Sequence, residues 1–242
     1  MRIVRSTVVF LLGILLMSGF ASCQLPESNP TRTPTPTPGV VVVSSNVFVT
    51  ESSLTLNGES RRLHIVAEIR NDCSHEVRVG ELYIHFYDAY GNVVCKRHTY
   101  SFAKILPPGG VTAVEETVPS YSYWRDETNY FPENWTTYEI TLPEQRFTDR
   151  HPADVAVQDV KVTVDNYGNV VVTGYVLNAG QDTAEDVKPY AILYGSDGRI
   201  MNARGDYIFG DFHPGQREPF EIKFHDDEPI DYARCVVDAY AE

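Results

Sequence analysis

The chain is poor in cysteine, with four in 242 residues. That is too few for the disulfide lattice on which small secreted scaffolds depend. Cys73, Cys95 and Cys235 follow Cys23, an odd number that leaves at least one thiol unbridged in an oxidising compartment. Cys73 and Cys95 fall at opposite ends of an expected strand over 80–88, ~25 Å apart at ~3.3 Å per residue, so no bridge is expected between them. Long apolar runs are also missing. The longest, Val8 to Met17, is about half the ~20 residues a membrane-spanning helix requires. Basic residues are scarce, 20 Lys and Arg against 33 Asp and Glu, and the net charge of −13 argues against a nucleic-acid partner.

Catalytic signatures are absent too. The seven histidines include no HExxH or HxH pair, and there is no Gly-x-Ser-x-Gly elbow, no Cys with an evident His partner and no phosphate-cradling glycine loop. His64 and His85 have outward strand parity and are expected in solvent. His225-Asp226-Asp227-Glu228 lacks the alternating acids and central Gly of a calcium loop, and reads as a solvated turn. Arg204-Gly205-Asp206 and the sequon Asn134-Trp135-Thr136 are read as chance occurrences. These absences point to a non-catalytic protein without cofactor or metal.

What is present begins at the N-terminus. Arg2 and Arg5 precede the apolar run, and Gly19-Phe20-Ala21-Ser22-Cys23 follows it, the layout of a secretory signal. Phe20-Ala21-Ser22-Cys23 resembles the lipobox of bacterial lipoproteins, although Phe20 stands where that motif usually has Leu. The resemblance implies cleavage after residue 22, lipid attachment at Cys23 and an anchor in the cell membrane facing outside the cytoplasm. An ordinary secretory signal is the alternative. Each buried methylene of an acyl chain contributes ~0.8 kcal/mol, so two or three chains hold firmly. The stretch PESNPTRTPTPTP over 26–38 favours extended polyproline II and makes a spacer of roughly 40 Å. Residues 23–45 are therefore expected to be a disordered Pro/Thr-rich linker.

The remainder repeats itself. Leu63-His64-Ile65-Val66-Ala67-Glu68-Ile69-Arg70-Asn71 aligns with Val170-Val171-Val172-Thr173-Gly174-Tyr175-Val176-Leu177-Asn178 at an offset of 107, which also sets Tyr87 on Tyr194 and Gly91 on Gly198. Pro108-Gly109 falls against Pro214-Gly215 at 106. Within each unit, stretches such as Leu82–Phe86, Val160–Val164 and Phe220–Phe224 alternate apolar and polar residues at period two, separated by Gly and Pro-Gly turns. Two tandem immunoglobulin-like antiparallel β-sandwiches are expected, copy one over 46–148 and copy two over 154–242. Ile65, Ile69, Ile84 and Phe86 would line the first core, and Val172, Val176, Leu193, Ile222 and Phe224 the second.

A strand ending in Asn, an aromatic strand ending near Tyr-Asp, a Gly turn and then Pro-Gly together resemble the FxLYD domain family. The naming motif stands as Ile84-His85-Phe86-Tyr87-Asp88 in copy one and Ala191-Ile192-Leu193-Tyr194-Gly195 in copy two, each with departures. The resemblance implies an immunoglobulin-like sandwich of exported prokaryotic proteins and assigns no catalytic residue.

One feature separates the copies. Between Val118 and Tyr138 copy one carries an insertion with Tyr121, Tyr123, Trp124, Tyr130, Phe131 and Trp135, where copy two has the short stretch His225–Asp231. Such aromatics could stack on sugar rings or anchor a protein interface, or else pack back on the sandwich as a lid. The leading expectation is a lipid-anchored module that binds an envelope protein or a glycan through these residues. A structural spacer or assembly subunit without ligand is the alternative, and a hydrolase with a hidden site a distant third. The sequence does not specify an oligomeric state.

Overall fold

The computed structural model describes residues 39–55, 58–119, 134–142, 145–225 and 228–242. Residues 36–242 form one compact unit. The fold is all-β and antiparallel; among the described residues there is no helix, and hence none long and apolar enough to cross a membrane.

In copy one, β1 (Val40–Thr55), β2 (Gly58–Asn71) and β7 (Val111–Pro119) form a sheet in the order β1-β2-β7. It faces a second sheet of β4 (Leu82–Tyr87), β5 (Val93–Thr99) and β8 (Thr137–Thr141), ordered β5-β4-β8. Short strands β3 (Val77–Val79), β6 (Ile105–Leu106) and β9 (Gln145–Phe147) close one end. Copy two repeats the plan: β10 (Val155–Val164), β11 (Val170–Asn178) and β14 (Arg217–Phe224) pair as β10-β11-β14. Opposite lie β12 (Lys188–Tyr194), β13 (Ile200–Gly205) and β15 (Arg234–Tyr240), ordered β13-β12-β15.

The strand register is equivalent in the two copies. Ile65 pairs with Val47 and Glu116, and its counterpart Val172 pairs with Val162 and Ile222. The same irregularity interrupts β4–β5 between Phe86 and Tyr87 and β12–β13 between Leu193 and Tyr194. The two asparagines do equivalent work. Asn71 Nδ2 donates to His75 O (2.9 Å) and Leu106 O (2.8 Å) while its Oδ1 accepts from Cys73 N (2.9 Å). Asn178 Nδ2 donates to Asp182 O (2.9 Å) and Phe212 O (2.6 Å), and its Oδ1 accepts from Gly180 N (3.0 Å). Each amide thus satisfies backbone groups in and beside a loop, which burial would otherwise penalise.

Period-two alternation sends one face of each sheet inward. Leu63, Ile65, Ile84, Phe86, Cys95 and Val118 make one part of the copy-one core, while Ile69 lies in another with Val77, Leu82 and Leu106. Val172, Val176, Leu193, Ile222 and Phe224 lie in the copy-two core, as alternation requires. Cys73 and Cys95 belong to different clusters.

Three features depart from the sequence reading. First, β1 starts at Val40, so residues 40–45 are strand rather than linker; Val40 is buried and pairs with Asn71. A run of four valines has more to gain from pairing than from solvation, and the proline-rich composition ends just before it. Second, His64 is buried although its parity is outward. Third, Glu228 is buried, not part of a solvated turn. The latter two share a cause: the outer face of β1-β2-β7 is covered by copy two. Val66 joins one continuous apolar cluster with Tyr190, Ile192, Tyr194, Ile200 and Ala203.

Candidate functional site

Two places concentrate chemically capable side chains: the hairpin end of copy one, and the junction between the copies.

At the hairpin end, the sequence Asp88-Ala89-Tyr90-Gly91-Asn92 builds the β4–β5 turn. Asp88 Oδ1 accepts from Tyr90 N (2.8 Å) and Asn92 N (2.9 Å), and Asn92 Nδ2 donates to Asp88 Oδ2 (3.0 Å). These donors, the Asn92 amide foremost, hold the Asp88 carboxyl below its ordinary range. Gly91 takes φ +80°, a left-handed conformation that costs a side-chain-bearing residue roughly 1–2 kcal/mol. Tyr90 is left 90% exposed at the tip. Asp165-Asn166-Tyr167-Gly168-Asn169 builds the β10–β11 turn identically, with Tyr167 80% exposed.

The described residues that flank the insertion lie at this same end. Pro119 pairs with Arg62 at the start of β2, and Thr136 N donates to Tyr87 O (2.8 Å), one residue before the Asp88 turn. Pro119 and Thr136, which bracket the insertion, therefore lie on facing sheets at the end that carries the Asp88 turn. Of the six aromatics singled out, Trp135 is described: it is half-buried, with its ring edge-on to Phe86 (5.4 Å) and to Tyr138 (6.2 Å). It anchors the end of the insertion on the copy-one core. Tyr121, Tyr123, Trp124, Tyr130 and Phe131 lie outside the described residues, as does Cys23.

The junction holds a polar cluster that sequence reasoning missed. His64 stacks flat on Phe48 (4.9 Å, 5° between planes), with Nε2 3.0 Å from Thr50 Oγ1 and Nδ1 3.1 Å from Thr117 Oγ1. Burial, then the positive charges of Arg204 and Arg62, lower its pKa to about 4. Arg204 pairs with Glu228 through Nη2, donates from Nη1 to Lys223 O (3.1 Å), and sets Nε 3.7 Å from Glu115 Oε1. Asn202 Nδ2 donates to Glu228 Oε2 (3.0 Å). Burial raises the Glu115 carboxyl to about 7; Arg204 opposes this, and Glu228 adds to it. Arg204 is turned into the junction, which removes the Arg204-Gly205-Asp206 tripeptide as a presented ligand. Position alone hid this cluster, since nothing in a strand's own alternation says that a second sheet covers its outer face.

Thiol chemistry is disfavoured, because burial pushes Cys95 and Cys235 up to about 11, far from a thiolate at neutral pH. Among the described residues no cluster of three His, Cys, Asp or Glu side chains is placed to hold a metal ion.

No family model matches the chain, and no curated protein matches it. Among solved structures it is similar to red sea bream transglutaminase, at 10% identity over 84% of this chain and 30% of that one, with a TM-score of 0.27. It is also similar to dimeric latent PorU from Porphyromonas gingivalis, at 10% identity over 88% and 34%, with a TM-score of 0.19. The chain spans about a third of the length of each. Likenesses this weak bear on neither activity nor partner.

Proposed function

We propose that this chain is an exported, lipid-anchored, non-catalytic interaction module of the FxLYD kind, which presents the hairpin end of copy one to an envelope protein or glycan. The observation that carries the reading is that the described residues flanking the insertion, Pro119 and Thr136, lie at the sandwich end where Tyr90 stands 90% exposed on a carboxylate-braced turn. A braced aromatic loses little freedom on binding, which favours recognition. Cys23 would carry the lipid and the Pro/Thr stretch would hold the folded part off the membrane.

In the test, a Trp124→Phe chain leaves Trp135 as the sole tryptophan, excited selectively at the red edge, and is titrated with envelope glycan fragments and with purified envelope proteins. A saturable change that Tyr90→Ser abolishes is the expected result. A flat response to every addition would remove the binding reading. Mass spectrometry of the mature N-terminus should show diacylglycerol on Cys23, and an unmodified residue there would end the anchor.

The assembly-subunit reading draws on a different observation, the single apolar cluster that runs through both copies. Large apolar interfaces hold domains rigidly, as a spacer requires.

A further inference from the structure

The two copies share one plan, so each face of one has a counterpart in the other. Copy two docks on copy one with the outer face of β13-β12-β15, and the seat is the outer face of β1-β2-β7. At that joint Asn46 Nδ2 donates to Met201 O (2.8 Å), and the Tyr190 hydroxyl lies 3.4 Å from Val111 O and 3.3 Å from Asp238 Oδ2. Arg204 faces Glu115 at 3.7 Å, and the Tyr194 hydroxyl bonds Glu68.

Registered strand by strand, the same seat recurs on the outer face of β10-β11-β14. Asn46 corresponds to Lys161, Val66 to Thr173 and Glu68 to Tyr175, while Ala113 corresponds to Pro219 and Glu115 to Glu221. Those five residues of copy two line a shallow groove of about 640 Å³, together with Asp159 and Asp206. Copy two thus carries an open version of the seat that copy two itself fills on copy one.

The matching plug recurs on copy one, as the outer face of β5-β4-β8. Tyr83 and Tyr87 correspond to Tyr190 and Tyr194, Val94 to Met201, and Arg97 to Arg204. Tyr83 is 37% exposed, whereas Tyr190 is 3% exposed under copy one. Ile192 is replaced by His85, Ala203 by Lys96 and Val236 by Glu139. The open plug is thus more polar than the closed one, as suits a reversible contact. Lys96 lies on the outer face of the plug beside His85, and Asp206 and Glu221 lie in the groove, where Asp159 is already paired with Arg217.

We propose that a second copy of this chain docks the outer face of its β5-β4-β8 sheet into the groove on β10-β11-β14. The joint between chains would repeat the joint within the chain. Lys161 Nζ takes the place of Asn46 toward the Val94 carbonyl, Glu221 meets Lys96, and the Tyr83 hydroxyl reaches the Arg217 carbonyl. Each chain offers one plug and one seat, so the contact is heterologous and propagates head to tail. This inference does not depend on the hairpin-end reading.

The test is site-directed cross-linking of the full chain with a short bismaleimide, the unmodified chain setting the background. Tyr87→Cys and Tyr175→Cys occupy the counterparts of the bonded pair Tyr194 and Glu68. A mixture of the two single variants should give covalent dimer while each alone stays at background, and the double variant should give a ladder. Glu221→Arg on the Tyr175→Cys chain should cut the yield roughly tenfold, as expected for like charges facing across an interface. Circular dichroism checks that each variant folds. If either tyrosine variant does not, Lys96→Cys with Thr173→Cys replaces the pair, because their counterparts Ala203 and Val66 share the junction core. Two results overturn the proposal: a mixture that stays at background at near-millimolar chain, or a single variant that dimerises as well as the mixture.

Discussion

At the residue scale, the buried imidazole and the buried carboxyl of the junction pull stability in opposite directions with pH. Glu115 holds its proton more tightly folded (about 7) than its ordinary value of 4.5. Its contribution to stability is therefore present at low pH and is lost as pH rises from 4.5 to about 7. His64 holds its proton less tightly folded (about 4, against 6.5), so its contribution is lost as pH falls from 6.5 toward 4. The slopes cancel across the overlap, and the parent chain should show a nearly flat melting temperature there. Glu115→Gln should unmask a fall on acidification from pH 6.5 to 4, and His64→Gln a rise from pH 7 to 4.5. After allowance for residual solvent contact each swing is on the order of 1–2 kcal/mol, or roughly 3–6 °C in thermal melts. Flat profiles in both variants would mean that neither group is held as the junction places it. Asn71→Ala is a separate residue-scale case. It strands the His75 and Leu106 carbonyls and the Cys73 amide, and should cost about 2–4 kcal/mol in urea unfolding. Asn178→Ala should cost a similar amount, and a near-neutral result at both would remove the amides from the account of the repeat.

At the element scale, the five-residue turns are the most legible pieces of the chain. Asp-x-Tyr-Gly-Asn supplies a carboxylate to brace two backbone amides and a glycine for the left-handed position, all from local chemistry. Gly168 repeats the conformation of Gly91 at φ +88°. Gly91→Ala and Gly168→Ala should each lower stability by about 1–2 kcal/mol with the denaturant slope unchanged. A neutral result would mean the turns relax into another geometry. Strands were legible for the same reason: alternation at Leu82–Phe86 and Phe220–Phe224 is a property of each stretch alone, whereas Val160 and Val164, read from the same pattern, are exposed. The outer faces were not legible, because His64, Val66 and Ile192 take their burial from residues over a hundred positions away. Nor was the start of β1, where four valines read as the tail of a proline-rich linker until a pairing partner is known. Of the candidate site, the insertion follows from the repeat alignment, whereas the position of its flanks near the Asp88 turn and the polar junction cluster required the packing of two sheets.

At the scale of the whole molecule, the question is whether two sandwiches joined by one apolar cluster unfold as one. Tyr190, Ile192, Tyr194, Ile200 and Ala203 are nearly inaccessible in the full chain, and separation would return all of them to water. Burial of an Ile or Tyr side chain contributes roughly 1.5–3 kcal/mol, so these four, with Ala203, rival the stability of an ordinary domain. Neither copy then retains much stability once its neighbour has unfolded. The chain carries its own reporter for this coupling, since both tryptophans, Trp124 and Trp135, belong to copy one. Leu193 is fully buried in the copy-two core, and Leu193→Ala should cost about 2–5 kcal/mol there. In a coupled molecule the unfolding midpoint seen by tryptophan fluorescence falls together with that seen by far-ultraviolet circular dichroism, although no tryptophan lies in the mutated half. Independent sandwiches would instead leave the tryptophan midpoint where it was and split the dichroism curve in two. That outcome would reduce the junction to a contact without energetic weight, and the spacer would be a hinged pair rather than one rigid rod.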